Sequence, residues 1–89
     1  MMYKLYTTKT FDKKLKRFLK KHPELEAEIV KTLDLLAKNP FESHLKMHKL
    51  SGLLKNERAV SLSYEHRILF VWENDNIFLT NIGTHDEVY

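Results

Sequence analysis

Six residues in the second half of this chain have side chains suited to acid–base work on a phosphodiester: His48, Arg58, Glu65, Arg67, His85 and Tyr89. RNA can be cut without a metal because its own 2′-hydroxyl attacks the adjacent phosphorus. A protein must then supply a base for that hydroxyl, an acid for the leaving 5′-oxygen, and cations for the charge that builds on phosphorus. Histidine suits the first two roles because imidazoles titrate near neutrality. Arginine suits the third because its fork matches phosphate oxygens. An aromatic ring can stack on an unpaired base. Each residue also has an ordinary alternative. A lone histidine is more often a surface or hydrogen-bonded residue than a catalyst. Arg58 and Arg67 could pair with Glu57, Glu65 or Glu73 on a sheet, and Tyr89 could cover a core edge. His22, beside Pro23, reads as a helix-boundary residue. His66, in a tight turn, is as easily solvated as functional, and His44 has only its basic loop to recommend it.

Other chemistries find less support. The 89 residues contain no cysteine, which excludes thiol catalysis and cysteine zinc sites and fits a reducing cytoplasm. His44 and His48 are four apart, but in a segment not expected to be helical and with no third ligand near, so neither a metal nor another cofactor is expected. There is no phosphate-cradling glycine loop and no nucleophile elbow. The first eleven residues lack an apolar run of signal-peptide length, and no stretch approaches a membrane span. The expectation is one soluble domain, residues 1–89, located in the cytoplasm and making no membrane contact.

The net charge of +3 hides a polarised layout. Residues 9–22 carry seven Lys/Arg and one Asp, whereas residues 73–89 carry four acidic residues and no Lys or Arg. The candidate residues for binding an anion, and RNA in particular, are Lys13, Lys14, Arg17 and Lys20 in the first of these segments, then Lys46, Lys49, Lys55 and Arg58. The ordinary reading is a solvated lysine face on an amphipathic helix.

The elements that must position these residues follow from periodicity. Residues 2–7 alternate as a short strand. Thr8 or Thr10 can cap a helix in which Phe11, Leu15, Phe18 and Leu19 form an apolar stripe. Pro23 separates it from a second helix that buries Leu25, Ile29, Leu33 and Leu36 and stops at Asn39-Pro40. Residues 40–56 read as irregular. Strands are expected over 58–63, 67–73 and 77–82, the last two joined at Asn74-Asp75-Asn76, and residues 83–89 form a tail. The fold class is therefore α+β, with a small antiparallel sheet and two N-terminal helices on one face (β-α-α-β-β-β). Ile68, Phe70 and Trp72 should face the helices, which places Arg67 on the open face.

The motifs His48-Lys49-Leu50-Ser51-Gly52, Glu65-His66-Arg67-Ile68-Leu69-Phe70 and Gly83-Thr84-His85 with a final aromatic resemble the RelE/ParE toxin superfamily. The resemblance is closest to the ribosome-dependent mRNA interferases of the RelE and YafQ type. It implies a RelE-like fold and a role for each matching residue. His85 matches the histidine of the Gly-Thr-His motif, an acid or base, and His48 the histidine opening His-x-Leu-x-Gly. Glu65 matches an aspartate of YafQ-type toxins, Arg67 a phosphate-binding arginine, and Tyr89 the terminal aromatic. Ser61 stands where YafQ-type toxins have another catalytic histidine. A serine cannot shuttle protons at neutral pH, so the labour is divided differently, with Arg67 compensating. His48 and Glu65 are the candidates for base and His85 for acid.

The resemblance implies the toxin of a type II toxin–antitoxin system, an endoribonuclease that cuts mRNA on the ribosome without a metal. Its partners would be a cognate antitoxin, the ribosome with its mRNA, and operator DNA only in company with the antitoxin. Two rivals share the fold. One is a ParE-like toxin that inhibits DNA gyrase without RNase chemistry, and the other a non-toxic member that only binds antitoxin and operator DNA.

Overall fold

The computed structural model describes residues 2–52 and 56–89. Thr8 is the cap of α1 (Lys9–Lys21), its hydroxyl accepting from the Phe11 amide at 3.2 Å. The same hydroxyl donates to the Leu79 carbonyl at 3.0 Å, which ties the start of the helix to the sheet. His22 leaves helical geometry, and Pro23 opens a single 3₁₀ turn, Pro23–Leu25, that leads into α2 (Glu26–Lys38). The chain leaves α2 through Asn39, whose extended backbone is the one a following proline demands.

Five strands form one sheet: β1 (Lys4–Tyr6), β2 (His48–Lys49), β3 (Arg58–Ser61), β4 (His66–Glu73) and β5 (Asn76–Thr84), in the order β1-β5-β4-β3-β2. The expected α+β class holds, with both helices on one face. The sheet departs from the expectation at one edge, where β1 runs parallel to β5. The two helices carry the chain across the sheet after β1, and such a crossover is what a parallel edge requires. The two-residue β2 was not expected either. Lys46, in the left-handed region at φ 49°, turns the chain into it, and His48 then pairs with Ala59. A strand this short leaves no alternation to read.

The helix-side core gathers Phe11, Phe18, Ile29, Leu36, Ile68, Phe70, Ile77 and Leu79. Leu15, Leu33 and Trp72, expected in it, are only partly buried. Trp72 lies one residue from the end of β4, where Tyr3 and Phe41 flank its ring and its Nε1 donates to the Asn74 carbonyl at 2.7 Å. Opposite Leu69 and Phe70 stand Asn81 and Leu79, so Thr80 is the extra residue of a β-bulge. The bulge lets Ile77, Leu79 and Ile82 all face the helices despite the odd step between the last two. It also puts Gly83 on the open face, in a row with Arg67 and Ser61.

The tail is not extended. It forms α3 (His85–Val88), which folds back over the open face and sinks Val88 against Ala59 and Leu69. Burying a valine contributes about 1.5–3 kcal/mol. A reciprocal cap starts the helix: the Thr84 hydroxyl accepts from the Glu87 amide while the Glu87 carboxylate accepts from the Thr84 amide. Among the described residues no helix is long and apolar enough to cross a membrane.

Candidate active site

The row Ser61–Arg67–Gly83 crosses β3, β4 and β5 on the open face, at the end where the β3–β4 loop meets α3. Gly83 eases a close approach there. A Cβ at this position would lie 3.2 Å from Glu87 Cβ and 3.4 Å from Val88 Cγ1. Its absence lets α3 sit down beside Arg67. The His85 amide then donates to the Glu65 carbonyl at 3.3 Å, fastening α3 to the loop.

The result is an open cavity of about 600 Å³ lined by Lys46, Ser61, Tyr64, Glu65, Arg67, Thr84, His85 and Asp86. Three residues expected to do chemistry, Glu65, Arg67 and His85, thus share one wall system although they come from a loop, a strand and a helix. Arg67 Nη1 donates to the carbonyls of Ser63 and His66, each at 2.9 Å, and more weakly to Tyr64. Among the described residues its Nη2 and Nε have no protein partner, which leaves one edge of the guanidinium for an anion. The fixed Nη1 makes Arg67 a clamp on the loop that carries Glu65.

Tyr89 links this cavity to His48. Its ring meets the His85 ring edge-on at 4.3 Å, and its hydroxyl lies 3.0 Å from His48 Nε2. His48 Nδ1 is 3.4 Å from the Lys46 carbonyl, an acceptor; the tautomer that satisfies both contacts has its proton on Nδ1 and accepts the Tyr89 hydroxyl at Nε2. His48 faces a smaller neighbouring concavity of about 350 Å³, shared with Lys49, Leu50, Ser51 and Tyr89. Burial pushes the Tyr89 phenol up from its ordinary pKa, against the opposing pull of the Arg67 charge, so it stays a neutral donor.

Other expected residues fall elsewhere. Arg58 lies with its guanidinium 4.9 Å over the Trp72 ring, on the helix side of the sheet, and is not brought to the cavity. The register explains this, because Arg58 pairs with Phe70 and so shares its face. Lys46 lines the cavity and Lys49 its neighbour, and Lys55 lies outside the described residues. Lys14 and Arg17 line a second concavity beside α1, whereas Lys13 and Lys20 do not. His66 is buried, its Nδ1 2.8 Å from the Ser63 hydroxyl and its ring edge-on to Phe18, so it serves packing. His44 pairs with Glu42 at 3.0 Å on the exposed side, and that contact holds the Glu42 carboxyl below its usual range.

The sequence reading missed Tyr64, which lines the cavity with 96% of its surface exposed. Turns favour small and polar residues, and a bare tyrosine in the turn between β3 and β4 is the signal that could have found it.

A sequence comparison with curated proteins finds no match. Solved structures with the same fold include YafQ from E. coli strain BL21(DE3), with 18% identity, a TM-score of 0.84 and 98% of each chain covered. The YoeB/ParE toxin from Agrobacterium tumefaciens aligns at 15% identity with a TM-score of 0.75, over 92% of this chain and 98% of that one. A chain of the E. coli DinJ–YafQ toxin–antitoxin complex aligns at 16% identity with a TM-score of 0.81, over 100% and 99% of the two chains. The family described as the bacterial toxin of type II toxin–antitoxin system, YafQ, matches residues 3–89. With that match spanning nearly its whole length, the chain belongs to the YafQ family of toxins of type II toxin–antitoxin systems.

Proposed function

We propose that this chain is an endoribonuclease that cuts mRNA in the ribosomal A site, in the cytoplasm, and so halts translation. The observation that carries the reading is the convergence of Glu65, Arg67 and His85 on one open cavity, flanked by the exposed Tyr64 and by Tyr89. Glu65 takes the proton of the 2′-hydroxyl as its oxygen bonds to phosphorus. The bond from phosphorus to the 5′-oxygen breaks, and His85 gives that oxygen a proton. The products are a 2′,3′-cyclic phosphate and a free 5′-hydroxyl. Arg67 holds the non-bridging oxygens with the guanidinium edge that the loop leaves open, and Lys46 adds charge. Tyr89 positions His85, and His48 is a positioning residue acting through Tyr89. The ribosome presents the strand in order, so a shallow site suffices.

YafQ, a protein of this fold, forms a toxin–antitoxin complex with DinJ, and a cognate antitoxin of this chain neutralises it by covering the open face or the basic surface of α1. Complementary charge speeds such an encounter. Operator DNA is bound only together with that antitoxin. The test is a reconstituted translation reaction with mRNA ends mapped with and without ribosomes. Cuts within the A-site codon bearing 5′-hydroxyl ends support the reading. Growth arrest without any mRNA cleavage overturns it in favour of a gyrase-directed toxin.

A further inference from the structure

A second concavity, of about 610 Å³, lies directly behind Thr84, which is a wall of both cavities. Its cationic side is Lys14, Arg17 and Lys21 of α1, and Phe18 and His22 also line it. The spacing i, i+3, i+7 sets these three cations in one stripe beside the buried Phe18, spanning about 10 Å along the helix. Lys13, Lys16 and Lys20 occupy a different stripe, roughly a quarter turn away around the helix, and do not line the concavity. The basic segment is therefore two surfaces, of which only one adjoins the site.

Among the described residues none of the three cations has a carboxylate within ion-pair distance. Glu87, on the opposite wall, has its Oε1 taken by the Thr84 amide at 2.8 Å and feels the Lys21 charge from beyond ion-pair distance. Three cations without an ion pair thus line one concavity, and that concavity shares Thr84 with the cavity of Glu65, Arg67 and His85.

We infer that this concavity is a subsite for the backbone phosphates of the substrate strand on the 3′ side of the cut, held by Lys14, Arg17 and Lys21. On a translating ribosome the 5′ side of the A-site codon is paired with the P-site tRNA, so the free single strand lies 3′. The strand crosses Thr84 and runs along the inner stripe. The inference rests on the endoribonuclease reading, and its test uses binding so that the two can fail separately.

The experiment measures binding to ribosomes programmed with mRNA carrying 2′-deoxynucleotides in the A-site codon, which cannot be cut by 2′-hydroxyl attack. Two triple variants remove equal charge: Lys14→Gln/Arg17→Gln/Lys21→Gln and Lys13→Gln/Lys16→Gln/Lys20→Gln, each checked for an unchanged thermal transition. With a long mRNA the inner variant should bind more weakly than the outer one, with a salt slope shallower than wild type by roughly 2, at about 0.7 per single-strand phosphate. Shortening the mRNA from its 3′ end should bring wild type down to the inner variant. Equal effects of the two triples overturn the inference. So does an inner deficit that persists undiminished on the shortest mRNA, because the phosphates then belong to ribosomal RNA. Wild type that binds in the expected way yet cuts no cleavable mRNA leaves the subsite standing and defeats the endoribonuclease reading instead.

Discussion

The Tyr89 hydroxyl and His48 Nε2 lie 3.0 Å apart, and this contact joins the edge strand β2 to the end of α3. It occupies the ring nitrogen that His48 would use as a base. His48 is therefore assigned to holding Tyr89, and through it the His85 ring, while Glu65 takes the proton. Glutamine can accept from Tyr89 through its amide oxygen but cannot shuttle protons. His48→Gln should retain most of the cleavage rate, His48→Ala should lose more, and Glu65→Gln should lose about 10²–10⁴, the range for general acid–base catalysis. Single-turnover rates check this. Equal, severe losses in His48→Gln and His48→Ala with a mild loss in Glu65→Gln would exchange the two roles.

Tyr64 has no packing to lose, so substituting it reports on substrate alone. Its backbone carbonyl accepts from Arg67 at 3.3 Å, which keeps the residue at the lip of the cavity. Stacking of a nucleobase on such a ring is worth about 1–3 kcal/mol by alanine substitution. Tyr64→Ala should raise the half-saturating concentration of programmed ribosomes about 5- to 150-fold, in keeping with that energy, while Tyr64→Phe stays near wild type. Titrating programmed ribosomes against a fixed concentration of toxin measures this. Identical curves for the three proteins would return Tyr64 to bare surface.

The cap of α3 carries a pH dependence whose sign follows from Glu87. The Thr84 backbone amide, then its hydroxyl, lowers the Glu87 carboxyl below its ordinary 4.5. A carboxyl lowered by folding stabilises the folded form above its unfolded pKa, and that contribution is lost as pH falls through the folded value. Below about pH 4.5 α3 should loosen, Val88 should leave Ala59 and Leu69, and the amide of His85 should lose its hydrogen-exchange protection. Glu87→Gln should flatten this acid limb. Protection of the His85 amide that is the same at pH 3 and pH 6, roughly either side of that window, would contradict the account.

Much of the fold could be read in the chain because its helices and β4 keep clean periods. Ile68 and Phe70 alternate without interruption, so the facing of Arg67 followed directly. β5 was harder, since the bulge at Thr80 shifts the phase between Leu79 and Ile82, and the strand was cut short at its far end. α3 escaped for a different reason. Its cap, Thr84 with Glu87, precedes one apolar residue and not a run, so no stripe announces a helix. The site shows the same division. Glu65, Arg67 and His85 were found from residue type and motif, but their meeting depends on Gly83, which matters only for the side chain it lacks. Arg58 looked equivalent to Arg67 in the sequence, and only the strand register turns it to the other face.

The proposed ribonuclease chemistry resides in the cavity shared by Arg67 and His85. Its most direct test is single-turnover cleavage on programmed ribosomes by His85→Ala, Arg67→Ala and Arg67→Lys, each shown to be folded. His85→Ala should lose on the order of 10²–10⁴ in rate, the range expected when a proton donor to the leaving oxygen is removed. Arg67→Ala should be similarly impaired, because it loses both the phosphate contact and the clamp on the Glu65 loop. Arg67→Lys should recover only part, since an ammonium cannot hold the loop carbonyls and a phosphate with one planar fork. Near-normal rates in both His85→Ala and Arg67→Ala would mean that this cavity does not cut RNA.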